Sequence, residues 1–401
     1  MAEQNQQPRA GSVRDFRLES EKLARRKKMR AVRRVAIPVL ILTVLLGYVS
    51  GVFGSSLAVA EDLVDSARIA LSPAAGYPVQ TGIAELYQLQ EMSGGFVALG
   101  EENCVLYSAG GNRLRSIQPG YARPAISVGR HRFVIYNRSG TELRVESRTQ
   151  TLYTKSFSGG ILLAEMSHGG VLAVATGSSR YVAELNVYSS LMENMLTWQM
   201  VESEGTPVRL AFSDDDSRLA VATLTASGGR LMSNLYLLNT KKAGETLLAS
   251  VYDAVPLGMV WRSSSEVLVL YDTHAAVYNT SNGAEKYRFD YGGDTLIGWS
   301  AEGNGLALLF ENGAASRMVL LEKDLDAKSD QNTSRANALT LTRTAVYVLT
   351  DTAVECYSTG GEYQWSEQRD VKPLAVLDTK RLLLFEGNTA LELQPSDDGE
   401  E

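Results

Sequence analysis

Between Gly76 and Gln394 one short unit recurs, and its period constrains the fold more than any other property of this 401-residue chain. An apolar or aromatic residue closes a strand, a polar turn follows, and a strongly apolar strand comes next. The unit reads Phe212-Ser-Asp-Asp-Asp-Ser-Arg-Leu-Ala-Val, Trp261-Arg-Ser-Ser-Ser-Glu-Val-Leu-Val-Leu and Trp299-Ser-Ala-Glu-Gly-Asn-Gly-Leu-Ala-Leu, with weaker copies from Met92 and Met166. A third strand then runs into a tight turn, as in Val105-Leu-Tyr-Ser-Ala-Gly-Gly, Ala276-Val-Tyr-Asn-Thr-Ser-Asn-Gly and Glu355-Cys-Tyr-Ser-Thr-Gly-Gly. The third strands end at Tyr107, Val145, Tyr188, Leu238, Tyr278, Leu321, Tyr357 and Leu393, 36–50 residues apart. That is the period of a four-stranded propeller blade. The chain is therefore expected to be all-β: a β-propeller of about eight four-stranded blades, with seven as the alternative if one repeat is miscounted. The last mark lies near the carboxyl end, so the last blade lacks an outer strand. Tyr77–Thr81 is expected to supply it and to remove a free sheet edge. No long helix is expected inside this region; Leu191–Met200 is the nearest candidate.

Ahead of the repeats, Arg25, Arg26, Lys27, Lys28, Arg30, Arg33 and Arg34 abut Val35–Ala60, which carries no ionisable group except Tyr48. The apolar part is long enough for one transmembrane helix, expected at 35–57. The basic block is a topology signal that keeps the amino terminus cytoplasmic and places the remainder outside the cell membrane. Gly47 and Gly51 form a GxxxG pair of the kind that lets helices approach, although ordinary membrane-helix glycines are the preferred reading. Ala58-Val59-Ala60 before Glu61 has the look of a signal-peptide cleavage site, but the long charged region and long apolar run favour an uncleaved signal anchor. The expected layout is a cytoplasmic basic tail (1–34), the span (35–57), an extracytoplasmic stalk (58–75), the propeller (76–394) and an acidic tail (395–401). Residues 1–34 carry 11 Lys and Arg against 4 Asp and Glu; the rest carries 28 against 42. An exterior this acidic is not expected to bind nucleic acid or anionic head groups through general electrostatics.

Little in the sequence points to chemistry. His131, His168 and His274 are expected in or beside turns, and none has a second histidine at zinc-ligand spacing. Asp214-Asp215-Asp216 sits where a propeller turn wants Asp. Asp324, Asp326 and Asp330 lack the central Gly and terminal Glu of a calcium loop. Cys104 and Cys356 could pair only if the chain ends meet with the right geometry. No catalytic, metal or cofactor-binding residue is singled out, and no cofactor is expected. The segment Leu191–Met200 is dense in Met and Trp, so Met192, Met195 and Trp198 are the expected partner surface. The competing reading is an outer strand with its inward face buried.

The Phe212-to-Ala220 segment resembles the strand-turn signature of WD40-like and YVTN-like propellers, and Gly360-Gly361-Glu-Tyr-Gln-Trp365 resembles the blade motif of quinoprotein-like propellers. The complete layout is similar to a domain-of-unknown-function family of uncharacterised single-pass membrane-anchored propellers from Gram-positive anaerobes. Quinoproteins repeat a docking Trp in most blades. Here only Trp365 stands at that position, with Tyr287 a partial substitute, which argues against a quinone enzyme. The resemblance supports architecture and topology and brings no activity. The leading expectation is a protein- or glycan-binding or scaffolding module outside the membrane. Alternatives are a cell-wall or glycan-processing enzyme whose carboxylates converge on one propeller face, and a single-span sensor.

Overall fold

The structure, a computed structural model, describes residues 68–69 and 71–393. The basic block at Arg25–Arg34, the apolar run at 35–57, the Gly47/Gly51 pair, the Ala58-Val59-Ala60 site and the acidic tail lie outside the described residues. Among those described, no helix is long and apolar enough to cross a membrane.

The described residues form eight four-stranded antiparallel sheets, arranged as the blades of a β-propeller. Blades I to VII occupy residues 86–117, 124–156, 161–200, 206–252, 256–290, 296–333 and 336–368. Blade VIII takes its three inner strands from 373–392 and its outer strand, Val79–Gln80, from the other end of the domain. Val79 pairs with Ala390 and Gln80 with Thr389, so Tyr77–Thr81 closes the ring as expected. Gly76 N–H donates to the Gly110 carbonyl (3.0 Å) where the incoming segment crosses a turn of blade I. A Cβ on neighbouring Gly111 would sit 2.3 Å from the Gly76 carbonyl oxygen, so that turn admits only glycine.

Burial explains the composition of each strand. The second strand of a blade is covered on both sides by neighbouring blades. Gly95–Gly100, Leu172–Thr176 and Glu266–Tyr271 are accordingly buried at every position and, apart from the terminal Thr176 and Glu266, read as apolar runs. The outer strands Glu285–Asp290 and Tyr363–Gln368 are exposed except at two alternate positions each. Trp365 is one of these and packs against Tyr347 (ring centroids 6.2 Å apart) beside the blade VII–VIII core.

The apolar core is likewise divided. Its eight clusters each join two adjacent blades, from the I–II cluster around Phe133 to the VIII–I cluster around Phe96 and Phe385. Cys104 lies in the I–II cluster and Cys356 in the VII–VIII cluster, both as free buried thiols. The two ends of the propeller domain do meet, but the intervening blade VIII keeps the two cysteines apart. Burial pushes the Cys104 thiol up to about 12 and Cys356 to about 11, which makes both inert.

As expected, Leu191–Met200 contains no helix; Asn194–Met200 is the outer strand of blade III. One expectation is corrected. His274 is not a solvent-facing turn residue. It opens a strand, is 1% exposed, stacks on Tyr271 (4.6 Å) and shares a hydrogen bond with Thr273 Oγ1 (2.8 Å).

Candidate partner face and axial cavity

Each propeller end gathers two kinds of connection. At one end, here the turn face, lie the turns from first to second strand and from third to fourth. At the other, the loop face, lie the second-to-third turns and the links between blades. Most of the residues singled out for chemistry lie on separate turns of the turn face; His274 opens a third strand at the other end and Asp330 lies within a fourth strand. His168 is exposed in a blade III turn. His131 Nδ1 lies 2.7 Å from Arg148 Nη2. In the Asp214-Asp215-Asp216 turn, Asp215 accepts from Ser213 Oγ (2.6 Å), Ser217 N (3.2 Å) and Ser217 Oγ (2.8 Å). Those hydrogen bonds, Ser213 first, hold its carboxyl down at about 2 and identify it as a turn residue. Asp324 caps its own turn by accepting from Asp326 N (3.2 Å), and Asp330 pairs with Arg317 Nη2 (2.6 Å). Among the described residues no three His, Cys, Asp or Glu group to hold a metal ion.

Met192, Met195 and Trp198 do not form a shared exposed surface. Leu196, Trp198 and Met200 point inward at period two, and Trp198 packs edge-on against Tyr236 of blade IV (5.0 Å). Met195 leans on the same III–IV cluster, whereas Met192 leans on the II–III cluster. The segment is the buried-face outer strand of the competing reading.

The exposed apolar residues are elsewhere. Of ten large ones among the described residues, seven lie on the loop face: Tyr87, Val182, Val201, Leu231, Tyr252, Ile297 and Val371. Such concentration at one end marks a contact surface better than single exposed residues do. Four belong to adjoining parts of blades III and IV. Val182 N–H donates to the Met200 carbonyl (2.9 Å), which sets Val182 beside Val201. Blade IV adds a ribbon. Its second and third strands, Arg218–Ser227 and Arg230–Asn239, are ten residues each, against five to eight for second strands elsewhere. The inner strand stops pairing at Leu224, so the tip projects beyond it by about 10 Å. Gly228 and Gly229 both take positive φ, 58° and 78°, which makes the two-residue turn that strand twist requires. Tyr252 pairs with Met232 on the side facing Val201, and the Arg230 guanidinium lies over its ring at 4.9 Å while bonding Asp253. The Thr225 hydroxyl ties the ribbon to the Glu202 carbonyl (2.7 Å).

The second feature is axial. Side chains stitch neighbouring inner strands together: Gln88 Oε1 accepts from Ile126 N (2.8 Å), Ser127 Oγ from Met166 N (2.8 Å), and Trp261 Nε1 donates to Ala211 O (2.9 Å). Where the inner strands of blades II, III, IV and V reach the turn face they enclose a cavity of about 220 Å³. Glu165 lines it. Further round the mouth, Glu91, Glu302 and Asp378 come from blades I, VI and VIII. Burial raises the Glu91 carboxyl, and Asp378 and Glu302 raise it further against Arg343 and His168. Asp378 is raised by burial and Glu302. Arg343 is bonded to Glu302 (3.2 Å). Carboxylates therefore do converge at one mouth. Sequence reasoning missed them, although Glu91 and Glu165 directly precede Met92 and Met166, where two copies of the repeat begin.

Solved structures with similar folds cover most of the chain at low identity. BamB from Moraxella catarrhalis is 10% identical, with a TM-score of 0.53 over 80% of this chain and 99% of that one. A computationally designed protein, Ika8, is 12% identical, with 0.57 over 80% and 98%. A eukaryotic initiation factor is 10% identical, with 0.54 over 78% and 83%. At these identities the likeness establishes the propeller alone. No curated protein matches the chain. Residues 75–392 match the profile of a family described as "Family of unknown function (DUF5711)".

Proposed function

The chain belongs to the DUF5711 family, and we propose that it is a single-span, extracytoplasmic propeller that binds a partner protein through the loop face of blades III and IV. The location rests on sequence: the basic residues from Arg25 to Arg34, then the uncharged run from Val35. The binding role rests on one observation, the apolar patch of Val182, Val201 and Tyr252 beside the projecting ribbon. Aliphatic groups rimmed by Arg230, Asp253 and Glu202 match the apolar-centre, polar-rim make-up of protein interfaces. A glycan would call for open aromatic platforms, and Tyr252 is covered on one face by Arg230.

The test is cross-linking in intact, wall-stripped cells followed by recovery of the full chain from detergent. Val201→Asp with Tyr252→Ser should cut partner recovery at least tenfold and leave the melting temperature unchanged, since both side chains are exposed. Undiminished recovery refutes the patch. Protease added to the same cells should degrade residues 76–394, and protection of them refutes the location.

The enzyme reading draws on the convergence of Glu91, Glu302 and Asp378 at the turn-face mouth. Loss of turnover of a wall polymer on replacing one of these, with folding kept, would favour it over the binding role.

A further inference from the structure

Glu165 stands at a junction of four blades with no cation to answer its charge. The cavity before it is walled by Val128, Leu210, Phe212, Met259 and Trp261. Among the described residues no ion pair reaches Glu165. Its partner is the Ser127 hydroxyl, which accepts from Met166 N–H and so has its own proton to donate to the carboxyl. The other ionisable groups at the cavity are His168 and Asp214, both on rim turns; blade II contributes no ionisable group, only the Val128 wall and the Ser127 hydroxyl behind it, and Arg218 lies behind the Trp261 ring at 4.9 Å. Glu165 is half-buried, and a carboxyl drawn out of water without a counter-charge is costly to keep. Apolar walls, an indole and an unanswered carboxylate together suit a cation on a hydrocarbon stem.

We propose that this axial cavity binds an organic cation, a primary ammonium on a short apolar stem, with Glu165 as counter-charge and Phe212, Met259 and Trp261 around the stem. A volume of about 220 Å³ holds a few carbons and an ammonium and is below the range of larger ligand sites. Glu165 and Asp214 repel anions. The ammonium belongs either to a lysine side chain of a partner or to a free alkylamine. The site lies at the opposite end from the proposed partner face, so the two proposals stand or fall separately.

Burial lifts the Glu165 carboxyl to about 7, with the Ser127 hydrogen bond pulling the other way. The ionised fraction, and with it the affinity for a cation, then rises about tenfold from pH 6 to pH 8. The experiment is calorimetric titration of the full chain in detergent with pentylamine at both pH values, for the wild type and Glu165→Gln. Saturable millimolar binding at pH 8, about tenfold weaker at pH 6 and lost in the variant, is expected. Equal binding by the variant, equal binding at the two pH values, or none at either overturns the proposal. Competition by a peptide with one free lysine assigns the site to a side chain; its failure assigns the site to the free amine. Should Glu165→Gln not fold, Ser127→Ala replaces it. Loss of the hydroxyl should move the pH midpoint of pentylamine binding upward, and an unmoved midpoint overturns the proposal.

Discussion

Single residues in this propeller answer to their neighbours across blade boundaries, and arginine is the commonest tie. Arg115 reaches Glu146 of blade II (2.7 Å), Arg132 the Ser190 carbonyl of blade III (2.7 Å), Arg262 the Lys323 carbonyl of blade VI (2.6 Å) and Arg369 Glu386 of blade VIII (2.8 Å). None of this is legible in sequence, because each partner lies 17 to 61 residues away. His274 shows the same limit. Asp272-Thr273 before it reads as a turn, while its burial depends on Tyr271 beneath the ring. Burial first, then Arg288, holds the imidazole down at about 4, with Asp290 and Asp272 opposing. The folded protein therefore resists a proton that the unfolded chain accepts near 6.5. The stability this neutral imidazole contributes is complete above 6.5 and falls as pH drops toward 4. Denaturant titration at pH 7 and pH 5 should show the wild type losing about 1–2 kcal/mol more than His274→Phe. Glu165 acts with the opposite sign, since its raised carboxyl favours the fold at low pH, and the comparison between variant and wild type cancels it. Equal pH dependence in the two proteins would show that His274 does not carry the effect.

At the scale of the element, repeat and register were readable and length was not. Every expected third-strand end falls on a third strand except Leu393, one residue beyond Thr389–Glu392. Those ends carry Tyr, Val or Leu before a polar turn because the third strand is nearly as buried as the second. The blade IV ribbon escaped because Ser227-Gly228-Gly229-Arg230 looks like any hairpin turn, and nothing local says how far it stands from the core. The Met and Trp density of Asn194–Met200 pointed outward only by composition; Leu196, Trp198 and Met200 at period two point inward. The closing strand is the element with the most leverage per residue. Val79–Gln80 is two residues long, yet Gln80 also accepts the Tyr107 hydroxyl of blade I (2.7 Å), and Thr81 bonds Asn388 through both its N–H and its hydroxyl (2.8 Å each). Deleting residues 74–82 should expose the outer edge of Thr389–Glu392 and lower the melting temperature by about 10 °C or more, with aggregation. A monomeric product of unchanged stability in light scattering and calorimetry would show that the ring closes without this strand.

For the whole molecule, the division of the core into eight inter-blade clusters decides how it can fail. In an open solenoid each repeat touches only its neighbours, and terminal repeats fray on their own. A closed ring has no terminal repeat, so any cluster is as interior as any other. The VIII–I cluster joins the two ends of the domain: Phe96 of blade I stacks on Tyr107 (5.3 Å) and meets Phe385 of blade VIII edge-on (4.9 Å), with Val79 packed alongside. Phe96 is fully buried, as is Val269 in the IV–V cluster on the far side of the ring. Phe96→Ala should cost about 3–5 kcal/mol, the ordinary loss for a large core aromatic. The unfolding should remain one transition, because opening the ring at blades VIII and I frees every other interface to unzip from the break. Val269→Ala, on the far side, should cost less in proportion to the smaller volume removed and unfold with the same single-transition shape. Calorimetry that resolves a separate low-temperature transition in Phe96→Ala, with the remaining blades melting as in the wild type, would mean that the eight clusters act as a stack whose ends merely touch.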